Sequence, residues 1–249
     1  METGNRKSAE INYVEGSNYL DELRRNQKSN KIKDNVTGVF EASYFNLWRK
    51  QAHFSGVMFW FCYGNFQGRG KDVLFLAAEP KYEFIYPKAD PIIARGLSPF
   101  QEKLLLPLDV NGKNFNQHDG RSILNDRDGK PNGQTATEDK GDVLRKVYRF
   151  LSEEEFWQLN KYGHGYFEAK DYNVDFFENL LGPENESPTY LRYYIGLDEN
   201  ENPSQMRIFL VPADDHGNNI KVLKNPRRAN KTTEPYLLQK SWPPPPDTF

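Results

Sequence analysis

Two short strings recur in this chain in the same order, and that recurrence limits the fold more than any other feature. Gly38–Asn46 reads GVFEASYFN, and Gly165–Asn173 reads GYFEAKDYN. Further on, Leu105–Phe115 reads LLPLDVNGKNF and Leu210–Ile220 reads LVPADDHGNNI. Gly, Phe-Glu-Ala and a closing Asn align without a gap in the first pair. Leu, Pro, Asp, Gly and Asn fall at matching spacing in the second. Repetition in order marks a supersecondary unit used twice. The expected fold is therefore α+β, with two related modules, each a small antiparallel sheet packed against two helices.

The unit can be followed through both halves. In the first, Leu20 and Leu23 share one face of a helix around Tyr19–Arg25, and Gly38–Phe40 leads into a second helix through Trp48. Gly56–Tyr63 is apolar on both faces, the pattern of a central strand covered on each side. In the second, Ser152 and Glu155 have capping-box spacing ahead of Phe156. A helix carrying Phe176, Phe177, Leu180 and Leu181 then stops at Gly182-Pro183. Leu191–Leu197 and Met206–Val211 flank a polar turn and form a β-hairpin.

Boundaries follow from composition. Residues 8–116 make the first module, with Val73–Leu76 and Phe84–Tyr86 read as a hairpin inserted within about 65–103. Residues 117–141, rich in Asn, Asp, Gly, Lys and Thr, form a polar linker. The second module spans 142–222, and residues 223–249 turn basic and then proline-rich. At 249 residues the chain has room for two domains of ordinary size, and 37% hydrophobic residues supply their cores.

Charge and cysteine content narrow the function classes. A net charge of −2 provides no global attraction for nucleic acid or an anionic membrane. One cysteine, Cys62, excludes an internal disulfide, and its apolar neighbours Phe61 and Tyr63 mark it as a buried small hydrophobe. The N-terminal stretch has no apolar signal core and no segment is long enough to span a bilayer, so a cytoplasmic protein is expected.

Individual motifs imply no chemistry. Gly64, Gly68, Gly70 and Lys71 resemble a phosphate loop with one residue too many, and Asp72 stands where Ser or Thr is needed. Asn125–Gly129 fits a polar turn better than a calcium loop, whose register would put Leu124 at the first ligand position. The four histidines include no pair at metal-ligand spacing. No cofactor and no metal are expected.

The polar residues of the recurring strings are Glu41 with Glu168, Asp109 with Asp214, and Asn114 with Asn219. Brought together between the modules, they would form a cleft for acid–base chemistry, a metal or a small ligand. Their local spacing equally suits turns in which Asp caps backbone N–H groups and Gly takes positive φ. That structural reading favours a non-enzymatic role.

The strings Tyr193-Tyr194-Ile195-Gly196 and Gly217–Ile220, with the tail Trp242-Pro-Pro-Pro-Pro246, also carry a resemblance. They resemble a group of small uncharacterised α+β proteins of Bacteroidetes that end in a proline-rich tail, often with cysteines. The resemblance covers Phe150–Pro246 best, implies a fold and brings no activity. This chain has no tail cysteine, so nothing of tail chemistry carries over.

The expectation is then an interaction or assembly component with protein partners or self-association. Its candidate contact residues are Phe66, Phe75 and Tyr86 in the inserted hairpin, and Leu237, Leu238 and Trp242 in the tail. The alternative is an enzyme or ligand binder using the paired carboxylates.

Overall fold

Phe54–Asn65, the longest apolar run, forms a strand with buried residues on both faces, which requires neighbours and cover on each side. In chain order the elements are β1 (Glu10–Ile11), α1 (Tyr13–Asn26), β2 (Thr37–Glu41), α2 (Ala42–Arg49), β3 (Phe54–Asn65) and β4 (Asp72–Tyr82). Then come β5 (Ile92–Ile93), β6 (Arg95–Ser98), β7 (Ala136–Thr137), α3 (Lys140–Ser152) and α4 (Glu154–Trp157). The rest are β8 (His164–Glu168), β9 (Lys170–Asp171), β10 (Val174–Asp175), α5 (Phe176–Leu181), β11 (Tyr190–Asp198), β12 (Gln205–Ala213) and β13 (Leu237–Gln239). The computed structural model describes residues 10–11, 13–26, 37–65, 72–83, 90–98, 136–158, 163–171, 174–182, 188–198, 204–215 and 237–239.

The fold is α+β. One sheet has five strands in the order β7-β5-β4-β3-β8, and another has six in the order β1-β13-β12-β11-β2-β6. Among the described strands β9 and β10 pair only with each other, and all these pairings are antiparallel.

The two halves of the chain exchange strands. β2, from the first half, pairs with β11, while β8, from the second, pairs with β3. The registers correspond. Glu41, Phe40, Val39, Gly38 and Thr37 lie opposite Tyr190 to Tyr194, as Glu168, Phe167, Tyr166, Gly165 and His164 lie opposite Gly56 to Trp60. The N–H of Ala42 bonds Thr189 O, and that of Ala169 bonds Ser55 O. Ile93 and Ile92 pair with Ala77 and Ala78, as Gln239 and Leu238 pair with Phe209 and Leu210. β7 then borders β5 as β1 borders β13, each just ahead of a helix.

Four sequence expectations need correction. The 8–116 and 142–222 boundaries do not follow the sheets, because each half completes the other's sheet. Val73–Leu76 belongs to no inserted hairpin; it is part of β4, the partner of β3 along its whole length. The second recurring string is not structurally matched. The place of Leu210-Val211-Pro212 opposite β11 is taken, opposite β3, by Ala78-Glu79-Pro80, while Leu105–Phe115 lies outside the described residues. The Ser152/Glu155 capping box is absent: Ser152 ends α3, its hydroxyl donates to Arg149 O, and Glu153 caps α4 with no side-chain bond.

The first recurring string is matched over its strand portion only. After Ala42 the chain is helical, whereas after Ala169 it makes the β9–β10 ladder before α5.

One apolar core joins both sheets and the helices. At its centre Phe59 meets Phe40, Phe45 and Phe167, with ring centroids 5.8, 6.2 and 5.3 Å away, and Phe40 meets Tyr193 at 5.7 Å. Phe59 and Tyr193 occupy corresponding positions in the two sheets, as do Phe167 and Phe40. Offset and edge-on aromatic packing of this kind stabilises beyond simple burial. The helices correspond as well. Gly16, Leu20 and Leu23 are buried in α1, and Val143, Val147 and Phe150 in α3.

Candidate functional site

Where the two halves differ, they differ in charge. Met58 and Arg192 hold corresponding places, as do Phe75 and Arg207, and Glu79 and Val211. Glu79, Arg192 and Arg207 are all buried. A buried charge is tolerated only when it is paired. Lys81 Nζ donates to Glu79 Oε1 at 2.7 Å, and Lys140 Nζ lies 3.2 Å from Oε2. Arg207 Nε lies 3.5 Å from Asp198 Oδ2. Arg192 donates to the Tyr194 hydroxyl at 3.3 Å and lies against that ring.

The Glu79 cluster positions α3. Asp139 caps this helix by accepting from the N–H of Asp142, and Lys140 opens it beside Glu79. Lys146 then reaches over the Phe75 ring and pairs with Glu138 at 2.7 Å. Arg149 makes a two-pronged contact with Asp72, one prong at 3.2 Å, and lies over Tyr63. The helix therefore packs over β3 and extends its polar side chains to β4 from Glu79 to Asp72, with Val143, Val147 and Phe150 turned inward.

Its other face is open. Leu144 is 43% exposed and Tyr148 is 76% exposed, one turn apart on the same side of the helix. Arg145 stands beside them and pairs with Asp142. Sequence reading passed over this pair, because it placed no helix over Lys140–Ser152.

The expected contact residues fare unevenly. Phe75 is wholly buried in the core, beneath Lys146, so it presents no surface; its strand is internal rather than part of an insertion. Leu237 and Leu238 lie in β13, paired with β1 and β12, so this part of the tail is a strand of the chain's own sheet. Phe66, Tyr86 and Trp242 lie outside the described residues.

The paired carboxylates sit apart in the topology. Glu41 ends β2 in the six-stranded sheet, and Glu168 ends β8 in the five-stranded one. Asp214 follows β12, while Asp109, Asn114 and Asn219 lie outside the described residues. No group of three or more His, Cys, Asp or Glu side chains able to hold a metal occurs among the described residues.

Cys62 and Tyr193 are two of the titratable groups buried in the interior. Burial pushes the Cys62 thiol far above its ordinary range, a shift that nearby Lys146 and the Ala77 backbone reduce only in part. Burial likewise raises the Tyr193 hydroxyl, a shift that hydrogen bonding with the Leu76 backbone offsets only in part. A thiol so held is poor in thiolate and therefore inert as a nucleophile.

No protein family, curated protein or solved structure matches the chain. No helix among the described residues is long and apolar enough to cross a membrane.

Proposed function

We propose that this chain is a non-enzymatic binding or assembly component built from a duplicated module, and that α3 carries its contact face. The observation that carries the reading is the Leu144–Tyr148 pair: two large side chains exposed one turn apart on a helix fixed to the sheet beneath. Aromatic side chains on a rigid support lose little entropy on binding and are favoured anchors at protein interfaces. The register correspondence of β2 with β8 supports the duplicated origin, and the charges at non-corresponding positions support specialisation of the halves.

The test uses the full chain as bait, with Leu144→Ser/Tyr148→Ser beside Leu47→Ser, a change at an exposed position on α2. The expected result is a partner, or a second copy, retained by the natural chain and by Leu47→Ser but lost by the double variant. Melting temperatures should be unchanged, since exposed substitutions of this kind shift stability by no more than about 0.5 kcal/mol. Equal retention by the double variant removes α3 as the contact face.

A further inference from the structure

Much of what holds this fold together joins one half of the chain to the other. Four strand pairings, β1–β13, β2–β11, β3–β8 and β5–β7, each take one strand from residues 10–98 and one from residues 136–239. The covering helices cross over as well. α3, from the second half, packs on β3, and α1, from the first, packs on β11. Phe61 stacks on Phe150 with ring centroids 5.4 Å apart, and Tyr19 stacks on Phe209 at 5.6 Å. Thr37 Oγ1 donates to Tyr193 O at 2.6 Å, and the Tyr166 hydroxyl donates to Ser55 O at 2.9 Å. Arg49 donates to Gly182 O at 3.0 Å.

We propose that two copies of this chain exchange halves, residues 10–98 of each folding with residues 136–239 of the other, to form a closed dimer. Every contact above is the same whether its two sides belong to one copy or to two. Neither half covers its own sheet strands: residues 10–98 lack α3 over β3, and residues 136–239 lack α1 over β11. The complement that fits either half is the other half, from the same copy or from a second one. Exchange of an identical element is a low-cost route to a dimer, because no new interface has to be built. The inference takes from the proposed function only that the chain assembles, and names a second copy as the partner. It does not use the outer face of α3. Leu144 and Tyr148 stay outward in the exchanged dimer, so either reading can fail while the other stands.

Concentration decides between the two forms. A short linker between two binding elements acts as a local concentration on the order of 1 mM, and a longer one as less. Here the halves are joined through residues 99–135, so a second copy at about 1 mM competes with the chain's own half. Once formed, the exchanged dimer cannot come apart piecemeal. Releasing one half means breaking β2–β11, β3–β8 and the aromatic contacts around Phe59 together, which amounts to unfolding. The unfolding rate therefore sets the lifetime of the dimer, and a dimer formed at high concentration outlives dilution.

The test unfolds the full natural chain in guanidinium chloride and refolds it at about 1 µM and at about 1 mM, to either side of the tethering range. Monomer is expected at the lower concentration. A dimer is expected at the higher one, and it should persist for hours after dilution to about 1 µM. Monomer alone at both, aggregate without dimer, or a dimer that dissociates as fast as it is diluted overturns the proposal. The arrangement within the dimer is read with Asp72→Cys/Arg149→Cys, two partly exposed positions that touch across the halves. Cys62 is buried and does not compete. A bismaleimide should join two chains in the dimer and close a loop within one chain in the monomer. Within-chain cross-links in the dimer would mean that intact monomers have associated, and the exchange is then refuted. Leu144→Ser/Tyr148→Ser should leave the dimer yield unchanged. Loss of the dimer in that variant would move self-association to the outer face of α3 and overturn the proposal as well.

Discussion

Phe59 and Tyr193 hold corresponding central positions, yet one is a pure hydrocarbon ring and the other carries a hydroxyl into the core. With Cys62, that hydroxyl gives the interior two groups that stay protonated when folded. Their ordinary values are 10.0 and 9.0, and both are raised in the folded state by burial. A raised acid favours the folded form only while the unfolded chain also keeps its proton. The associated stability is therefore complete below about pH 8.5 and is lost as pH climbs through the unfolded values. Melting temperature should be level from about pH 7 to about pH 8.5 and then fall, and Cys62→Ala should delay the onset of that fall. A melting temperature that holds or rises through this window would refute the assignment. The burial of Cys62 was legible from its apolar neighbours. That of Tyr193 was not, because the opposing surface comes from β3 and β4.

At the scale of elements, α1 and α3 are placed by contacts that composition does not announce. Gly196 lies where Cys62 lies in the other sheet, and its missing side chain admits α1. A Cβ there would come within 2.6 Å of the Phe209 ring and 2.9 Å of Tyr19 Cβ. Part of the obstruction is α1 backbone, the Tyr19 carbonyl carbon at 3.0 Å, so the helix itself must shift. Gly196→Ala should therefore cost about 1–3 kcal/mol in urea unfolding, the range for overpacking a close contact. A cost near zero would show that α1 can move away without loss. The α1 helix was expected from periodicity and α3 was not, and the close approach required knowing which strand each one crosses. Gly182, with φ of 63°, ends α5 as its position before Pro183 suggested.

For the whole molecule, strand exchange decides how the chain folds. Without β8, the first half leaves one edge of β3 unpaired; without β2, the second half leaves β11 in the same condition. Each half would also expose the aromatic faces that meet around Phe40, Phe59 and Tyr193. Residues 1–116 and 136–249 expressed separately should thus fail to give a cooperative thermal transition, and co-expression should restore one. A stable, cooperatively melting 1–116 fragment would show that the exchange is dispensable. The expectation of two sequence-contiguous modules misjudged this point. A recurring string says nothing of which strand each occurrence pairs with, and here each pairs with a strand from the other half.

The amino-acid sequence by itself determined the α+β class, the apolar β3 strand, the β11–β12 hairpin and the unusual status of Gly38–Glu41 and Gly165–Glu168. These depend on period, turn residues and local composition, which are written in neighbouring positions. Tertiary structure alone decided that those two strings trade sheets and that Phe75 is core rather than surface. It also decided that Glu79 is a buried partner of Lys81 and Lys140, and that Leu144 and Tyr148 face outward. Each of those outcomes joins residues far apart in the chain. Burial and pairing energies depend on what lies across the contact, and no local pattern encodes the identity of that neighbour.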